Sequence, residues 1–461
     1  MQNESGHLKR RLGLTSAISI TVGAVIGSGI FMKPLSVAQS LPNETWIFAL
    51  WIGLGLVCLF GAFAYAELGA MFPEAGGQYA FLREGWGRGV GFLYGWVFFW
   101  AINSGTMAAL ATAFAEYLLP LLNVAHGDAE HPLMIAGVAS LMIFMLALVN
   151  HFGVAFGATL QNLSTFAKLG ALGLIVLGGA LTVAGGEVPL SKTTVAAPHA
   201  LQVSGLLTAF TGIFWAYEGW YQLPFNAAEL RRPERQLPLG LILGMLVLIV
   251  TYAAVNAIYL LVVPFTEMNL LPAGADQQVP YLAIARIFSP QAANYLTLLV
   301  AISVMGAANP NLLSSSRAFY AMGQDGLVPK ALNWIHPRHG TPTVAIWAQA
   351  IWAILLVLYL KKFHDITAFV VFASFLFYGM TAAAVWRLRA RLPNHPRPYR
   401  CTGYPVTPAL FILVTLAFIA TLLLDPNERR NALVGLAILA AGIPAYWWQC
   451  RHARRQKSAA Q

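Results

Sequence analysis

Charged residues are scarce in this chain. Asp, Glu, Lys and Arg make up 10% of its 461 residues, and 58% are hydrophobic, whereas about a quarter of an ordinary soluble domain is charged. The formal charge of +10 would suggest a nucleic-acid partner in a soluble protein. With so few charges and long apolar runs, the sequence instead predicts an integral membrane protein that binds no nucleic acid.

Cysteine and paired histidines are also rare. The three cysteines, Cys58, Cys401 and Cys450, form neither a disulfide framework nor a CxxC metal signature. No histidine pair lies deep in a predicted span, and an intramembrane metalloenzyme would need such a cluster. We therefore predict no metal, no cofactor and no enzymatic activity.

Apolar runs long enough to cross a bilayer recur along the whole chain. They predict twelve spans, at residues 13–37, 45–71, 89–119, 132–152, 157–184, 203–224, 238–263, 291–320, 342–360, 364–388, 408–424 and 431–449. The polar residues 1–12 precede a first span too long for a cleavable signal peptide. We expect the first helix to serve as its own signal-anchor.

The positive charges indicate the orientation. Most Lys and Arg fall near the termini or in the loops after even-numbered spans. Examples are Lys9–Arg11, Arg231–Arg232, Arg387–Arg400 and Arg451–Lys457. By the positive-inside rule, these segments and both termini are predicted to be cytoplasmic.

Two spans contain residues that disfavour a continuous helix. The segment Val22–Phe31 has three glycines in seven positions, and Phe214–Trp220 carries a carboxylate at Glu218. Unpaired backbone amides in hydrocarbon cost several kcal/mol each, so an unwound stretch survives only where it lines a cavity or binds a ligand. Matched broken helices in two halves of a chain point to a transporter binding site.

The spacing of the two breaks predicts an internal repeat. Residues 13–185 and 203–389 each hold five spans and each open with a broken one. Because five is odd, the second unit enters the membrane in the opposite sense, as an inverted repeat. Residues 408–450 add two spans outside this symmetry, and residues 451–461 form a polar tail predicted to be cytoplasmic.

Several short motifs, in their order and spacing, carry a resemblance to a known family. They are Tyr65–Gly69, Pro73–Tyr79, Leu163–Lys168, Glu229–Pro238, Ser314–Arg317, Gly323–Pro329 and Pro398–Pro405. Together with the broken helices, they resemble a bacterial member of the L-amino acid transporter family in the amino acid-polyamine-organocation superfamily. The resemblance implies an all-α membrane fold of twelve helices, with helices 1 and 6 discontinuous, and amino acid substrates.

The resemblance implies which residues bind the substrate. Amides at the first break would hold the α-carboxylate, and carbonyls at the second would receive the ammonium, with Trp215 as the gate. The residues concerned are Ile26, Gly27, Ser28, Gly29, Trp215, Ala216, Tyr217, Glu218 and Gly219. The alternatives are that the glycines only permit close helix packing, and that Glu218 relays a proton or caps loose amides.

Lys168 lies deep in a predicted span, where an ammonium needs a partner. The resemblance implies that it is a tethered cation replacing sodium, with the Gly23 carbonyl and the Ser314 or Ser315 hydroxyl as partners. The alternative is a lysine that extends to cytoplasmic headgroups. On the first interpretation, transport does not depend on sodium.

Other polar and aromatic positions are candidates for side-chain selectivity, although each can equally be a packing residue. They are Asn103, Ser104, Tyr217, Asn309, Phe377 and Tyr378. Glu67 and Arg317 are predicted to make inner-gate or topology contacts. Residues 121–131 contain no cysteine, so we expect no disulfide-linked ancillary subunit.

The predicted function is sodium-independent exchange of neutral L-amino acids by alternating access in the bacterial inner membrane. The alternative is a proton-coupled importer or exporter in which Glu218 or the Lys168 amine titrates. Small neutral, branched and aromatic substrates all stay open, because a pocket discriminates by only about 1–3 kcal/mol per methylene.

Overall fold

The structure is a computed structural model of the chain. It describes residues 10, 12–74, 76–122, 124, 131–152, 154–186, 201–272, 278–360, 363–424, 426 and 429–458. The described part is almost entirely helical, and its one β-bridge joins Leu12 to Leu230. The all-α prediction is confirmed.

Eighteen α-helices follow one another along the described residues. They are α1 Leu14–Val25, α2 Gly29–Met32, α3 Pro34–Ser40, α4 Glu44–Met71, α5 Gln78–Trp86, α6 Arg88–Val97, α7 Asn103–Leu118, α8 His131–His151, α9 Val154–Ala184, α10 Val203–Ala216, α11 Pro233–Val262, α12 Phe265–Met268, α13 Gln278–Ile287, α14 Pro290–Gln324, α15 Thr343–Leu360, α16 Phe363–Arg391, α17 Val406–Leu424 and α18 Arg429–Ser458. A π-helical turn, Phe98–Ile102, joins α6 to α7, and a 3₁₀ segment, Trp220–Glu229, follows α10.

The long helices have the length and composition of membrane spans. Ten stretches among the described residues are long and apolar enough to cross a bilayer, and Thr343–Tyr359 is a shorter apolar helix. The segment from α10 to Glu229 is interrupted, as its sequence predicts. The count of twelve spans and the division into two five-helix repeats stay predictions.

The outer and inner helices differ in what they bury. On α9, Leu174, Leu177 and Leu181 are all exposed, and their spacing of three and four residues places them on one helix face. Such an apolar outer stripe suits contact with lipid. By contrast, every residue from Ser19 to Val25 of α1 is buried, so α1 lies inside the bundle.

The face at which α1 begins is held together by buried ion pairs. Glu67 accepts hydrogen bonds from Arg389 at 3.0 and 2.6 Å and from the Cys401 amide at 2.7 Å. Arg317 pairs with Glu229 at 2.8 Å. Burial raises the pKa of the Cys401 thiol to about 11, so this cysteine is protonated at neutral pH. Glu67 and Arg317 thus lie in ion pairs, and their role as inner-gate or topology contacts stays a prediction.

Candidate functional site

The first break interrupts the span between α1 and α2. Ile26 has φ −70° and ψ 89°, outside the helical region, and its amide still bonds to Val22 O. The helical ladder resumes at Gly29 and continues through Lys33 to Ser40, because the Lys33 amide bonds to Gly29 O and the Val37 amide to Lys33 O. The chain between these half-helices, at Gly27 and Ser28, is buried.

Lys168 of α9 lies against this break. Its Nζ donates to the carbonyl oxygens of Gly23, at 3.0 Å, and Ile26, at 2.7 Å. The side chain is buried at 3% exposure, which is too deep for an ammonium that extends to headgroups. A buried charge is tolerated when it is hydrogen-bonded, and here the unwound turn supplies the acceptors.

Ser314 and Ser315 bond elsewhere. The Ser314 hydroxyl accepts a hydrogen bond from Asn226, and the Ser315 hydroxyl donates to Gln349. The part of α14 nearest Lys168 is Gly306, where an added Cβ would lie 3.3 Å from Lys168 Cε. Eight residues of helix separate Gly306 from Ser314, about 12 Å at the usual rise. The structure therefore does not join either serine to Lys168, contrary to the expectation drawn from the resemblance.

The second break follows α10. The Glu218 amide bonds to Trp215 O in a tight turn, and Gly219 adopts φ +114°. A side chain at this φ is strained, and a Cβ would also lie 2.7 Å from Ala24 O. Gly219 is therefore required both by its backbone conformation and by its close approach to the first break.

Tyr252 of α11 joins the two breaks. Its hydroxyl lies 3.2 Å from Val25 O and 3.0 Å from Ala216 O, within hydrogen-bonding distance of the last residue of both α1 and α10. Its single proton can be donated to either oxygen. Sequence reasoning missed Tyr252, because nothing in the apolar run of α11 marks it.

A small cavity lies between the breaks. Its lining comes from both breaks and from α7 and α14. The lining residues are Ala24, Val25, Gly27, Ser28, Gly29, Thr106, Leu110, Trp215, Glu218, Gly219 and Asn311. Six of the residues predicted from the sequence thus surround one cavity.

Comparison with known proteins agrees with this geometry. The family model described as "Amino acid permease" matches residues 12–443. The chain belongs to the amino acid permease family. It is 31% identical over 409 residues to the human b(0,+)-type amino acid transporter 1, covering 89% of this chain and 82% of that protein.

Two further human relatives match nearly the whole permease. The large neutral amino acids transporter small subunit 2 is 31% identical over 96% of this chain and 81% of its own length. The cystine/glutamate transporter is 29% identical over 96% of this chain and 86% of its own length. These matches confirm the resemblance to L-amino acid transporters. The protein is an amino acid transporter of the membrane, and not an enzyme.

Glu218 is the one charged residue among the described residues that line the permease cavity. Its Oε1 accepts hydrogen bonds from the Tyr378 hydroxyl at 2.6 Å and, more weakly, from Ser374 at 3.4 Å. Both donors lie on α16. Tyr378, a predicted selectivity residue, therefore acts on the cavity by orienting Glu218.

On α14, two asparagines flank Pro310 and have different surroundings. Asn309, the predicted selectivity residue, accepts a hydrogen bond from Asn150 of α8. Asn311 lines the cavity and accepts a hydrogen bond from Gln222 at 2.7 Å. Residues two positions apart point about 200° apart around a helix. Which of the two asparagines faces the cavity therefore depends on the rotation of α14, which the sequence does not give.

The remaining predicted residues lie outside the cavity lining. Ile26 and Ala216 contribute carbonyl oxygens to Lys168 and Tyr252. Tyr217 donates to Trp51 O on α4, and Phe377 packs against Tyr94. The side chains of Tyr217 and Phe377 thus lie in packing positions.

Asn103 and Ser104 open α7 directly after the π-helical turn. The Ser104 hydroxyl bonds to Phe99 O. Asn103 is fully buried, and neither of its amide atoms has a partner among the described residues. Thr106 and Leu110, which lie three and seven residues further along α7 and line the cavity, were missed by sequence reasoning.

Proposed function

We propose that this permease exchanges neutral L-amino acids by alternating access and without sodium. The observation that carries the proposal is the pair of hydrogen bonds from Lys168 Nζ to Gly23 O and Ile26 O. They hold a fixed positive charge at the first break. A sodium ion in the same place would use the same kind of ligand, oxygen, and would be exchanged with each cycle, whereas a lysine stays bound.

A tethered cation has a consequence for energetics. Transport that moves no ion cannot draw on an ion gradient through that site. The driving force is then the amino acid gradients themselves, and inward movement of one substrate is matched by outward movement of another. Lys168 has the further role of satisfying carbonyl oxygens that the unwinding of α1 frees.

The cavity offers complementary groups for an α-amino acid zwitterion. Among the described residues, the amides of Gly27 and Ser28 donate to no backbone carbonyl, so both can donate to a carboxylate. The carbonyl of Ala216, expected to receive the ammonium, already accepts from Tyr252. We therefore assign the ammonium to the side of the cavity that holds Glu218.

The neutral substrate class follows from the rest of the lining. Once Glu218 faces the ammonium, Thr106, Leu110 and Asn311 remain to contact the substrate side chain, and none of them is charged. An ionised side chain would enter a buried site without a counter-ion, which costs several kcal/mol.

Trp215 is the proposed gate. It lines the cavity at the end of α10, and its indole Nε1 donates to Ser28 Oγ at 3.3 Å. One side chain thus spans from the second break to the first, over the residues assigned to the substrate carboxylate. Rotation of this ring would open or cover the bound amino acid.

The proposed setting is the bacterial inner membrane, with both termini cytoplasmic, on the basis of the Lys and Arg distribution. We propose that the chain works without a disulfide-linked subunit. Cys58 and Cys401 are buried, Cys450 lies within α18 and is half-buried, and residues 121–131 have no cysteine.

The test is uptake of a radiolabelled amino acid panel into proteoliposomes, empty or preloaded with unlabelled amino acid, with and without sodium. We expect uptake of neutral amino acids in preloaded vesicles only, at the same rate in both buffers. Sodium-stimulated uptake, or equal uptake into empty vesicles without any gradient imposed, would contradict the proposal. For the Lys168→Ala variant, Lys330→Ala at an exposed position is the control for loss of a lysine.

The second candidate is proton-coupled transport. Glu218 favours it, because this buried carboxylate lines the cavity and is held by two hydroxyl groups, and intramembrane carboxylates commonly relay protons. Uptake into empty vesicles driven by an imposed pH gradient, abolished in Glu218→Gln, would replace exchange by this mechanism.

A further inference from the structure

Three histidines meet at the end of α8, and none of them lines the transport cavity. His151 is the last residue of α8, and His336 and His339 lie in the loop between α14 and α15. Their rings are 4.5 to 5.6 Å apart between centroids. One potential ligand nitrogen from each lies within 4.8 Å of the others, and all three side chains are half-buried. We call these residues the histidine cluster.

The loop geometry places two of the rings side by side. The His336 amide bonds to Thr341 O at 2.9 Å, and the Gly340 amide bonds back to His336 O at 2.8 Å. This closed turn brings His336 and His339, three residues apart, to the same side. The Thr341 hydroxyl also donates to His151 O at 3.0 Å, so the loop is fixed to α8 independently of the rings.

Three neutral imidazoles form a donor set that suits a divalent transition metal. Zn²⁺ binds three histidines and an exchangeable fourth ligand at Zn–N distances of about 2.0–2.1 Å, which places the nitrogens about 3.3 Å apart in a tetrahedral site. Side-chain rotations that move each nitrogen by about 1 Å would close the present spacing to that value. Carboxylate-preferring ions such as Mg²⁺ or Ca²⁺ do not suit this set.

We propose that the histidine cluster is a binding site for a divalent transition metal ion, Zn²⁺ or an ion of similar preference, that holds the α14–α15 loop against the end of α8. The site is separate from amino acid binding, because none of its residues lines the transport cavity. Sequence reasoning predicted no metal because it searched within the spans, whereas these histidines come from a helix end and a loop 185 residues away.

The present hydrogen bonds show what metal binding must replace. His336 Nδ1 accepts from the amides of Arg338 and His339 at 3.2 and 3.3 Å, and His151 Nδ1 accepts from the Trp347 indole at 3.2 Å. All three bonds are long. Each acceptor nitrogen is unprotonated, which is the form that a metal requires. Coordination through Nδ1 would exchange these bonds for a metal–nitrogen bond.

Binding would have a mechanical consequence. An ion shared by His151 and the loop would link α8 to the start of α15, where Trp347 contacts the cluster. A ligand that binds one arrangement of these elements stabilises that arrangement by mass action. Metal should therefore raise the unfolding temperature of the permease.

The experiment uses the full chain in nanodiscs, with any polyhistidine tag removed. Co²⁺ titration followed by visible absorbance, and Zn²⁺ titration against a chelating indicator, should both give one ion per chain. We expect micromolar or tighter affinity for Zn²⁺, and His151→Ala, His336→Ala and His339→Ala should each weaken it at least about 10-fold. His395→Ala, at a loop histidine outside the cluster, should bind as the wild type does.

A second measurement separates binding from misfolding. Zn²⁺ should raise the unfolding temperature of the wild type and of His395→Ala but not of the three cluster variants, all of which should retain amino acid exchange without metal. Zn²⁺ binding by a triple His→Ala variant that equals wild-type binding would overturn the site. So would the absence of Zn²⁺ binding by the wild type at concentrations up to about 100 μM.

Discussion

The two broken helices meet at one cavity but contribute different parts of the chain. The first break, at Ile26 to Ser28, lines the cavity through Gly27 and Ser28, and Lys168 donates to the carbonyls of Ile26 and of Gly23 just before it. The second break contributes side chains, because its carbonyl at Ala216 is bonded by Tyr252 while Trp215 and Glu218 face the cavity. Unwinding a helix can thus expose backbone groups or aim side chains.

The two breaks also differ in their ionisable side chains. The Lys168 amine, from α9, lies against the first break, and the buried Glu218 carboxyl group belongs to the second. Each is hydrogen-bonded to its own neighbours rather than to the other in the described contacts. In the proposed binding mode, a zwitterion between them meets amides on one side and the Glu218 carboxyl group on the other. Four substitutions test this division of roles.

Gly29→Ala should have the largest effect. A Cβ at Gly29 would overlap Ala216 Cα, so the two breaks would have to move apart and the cavity between them would change shape. We expect exchange to fall at least about 100-fold, since misplacing binding groups by about 1 Å has effects of that size. Exchange rates in proteoliposomes measure it.

Gly53→Ala is the matched control, because no atom lies within 4 Å of its added Cβ. It should exchange like the wild type. If Gly29→Ala retained more than half of the wild-type rate, the close contact of the two breaks would not be required for transport.

Lys168→Ala should be next in size. It removes the cation from two buried carbonyls, and an unsatisfied buried group costs about 1–3 kcal/mol. If that cost falls on the transitions between the conformations of the alternating-access cycle, turnover should drop about 10- to 100-fold while substrate affinity changes less than about 3-fold. Exchange rate and equilibrium binding, measured on the same preparation, separate the two. Equal losses in both quantities would argue against a tethered cation.

Glu218→Gln should weaken binding of neutral amino acids by about 3- to 10-fold. The amide keeps the shape and an acceptor for Tyr378 but loses the charge, and hydrogen bonds to a charged group are about twice as strong as neutral ones. Equilibrium binding measures it, with Glu44→Gln at the start of α4 as the control. Unchanged affinity would place the ammonium elsewhere in the cavity.

Tyr252→Phe should have the smallest effect. It removes one hydroxyl between Val25 O and Ala216 O, and a typical hydrogen bond contributes about 1 kcal/mol. We expect turnover to fall about 3- to 5-fold. Tyr259→Phe is a close control, since this tyrosine is buried on the same helix and its hydroxyl has no partner among the described residues. Similar losses in both variants would show that the hydroxyl between the breaks has no special role.

Local chemistry explains why much of the site could be predicted. Glycine clusters and a carboxylate in hydrocarbon are rare enough to mark both breaks, and Gly27, Ser28, Gly29, Trp215, Glu218 and Gly219 do line the cavity. Lys168 was marked for the same reason, because a charge in a span needs a partner.

The predictions that failed or were incomplete concern rotation and distance. Asn311 rather than Asn309 lines the cavity, Ser314 and Ser315 bond to Asn226 and Gln349 rather than to Lys168, and Tyr252 was not marked at all. Each depends on how one helix is turned or shifted against another, which packing decides and local sequence does not.

The sequence by itself determined that the chain lies in a membrane, that its helices break at two positions, and which charges are buried there, because hydrocarbon penalises every unpaired polar group. Only the tertiary structure decided which neighbours satisfy those groups. It brought Lys168, Tyr252 and Tyr378 to the two breaks, and His151 to His336 and His339, because contacts between residues far apart in the chain arise from the packing of whole helices and loops.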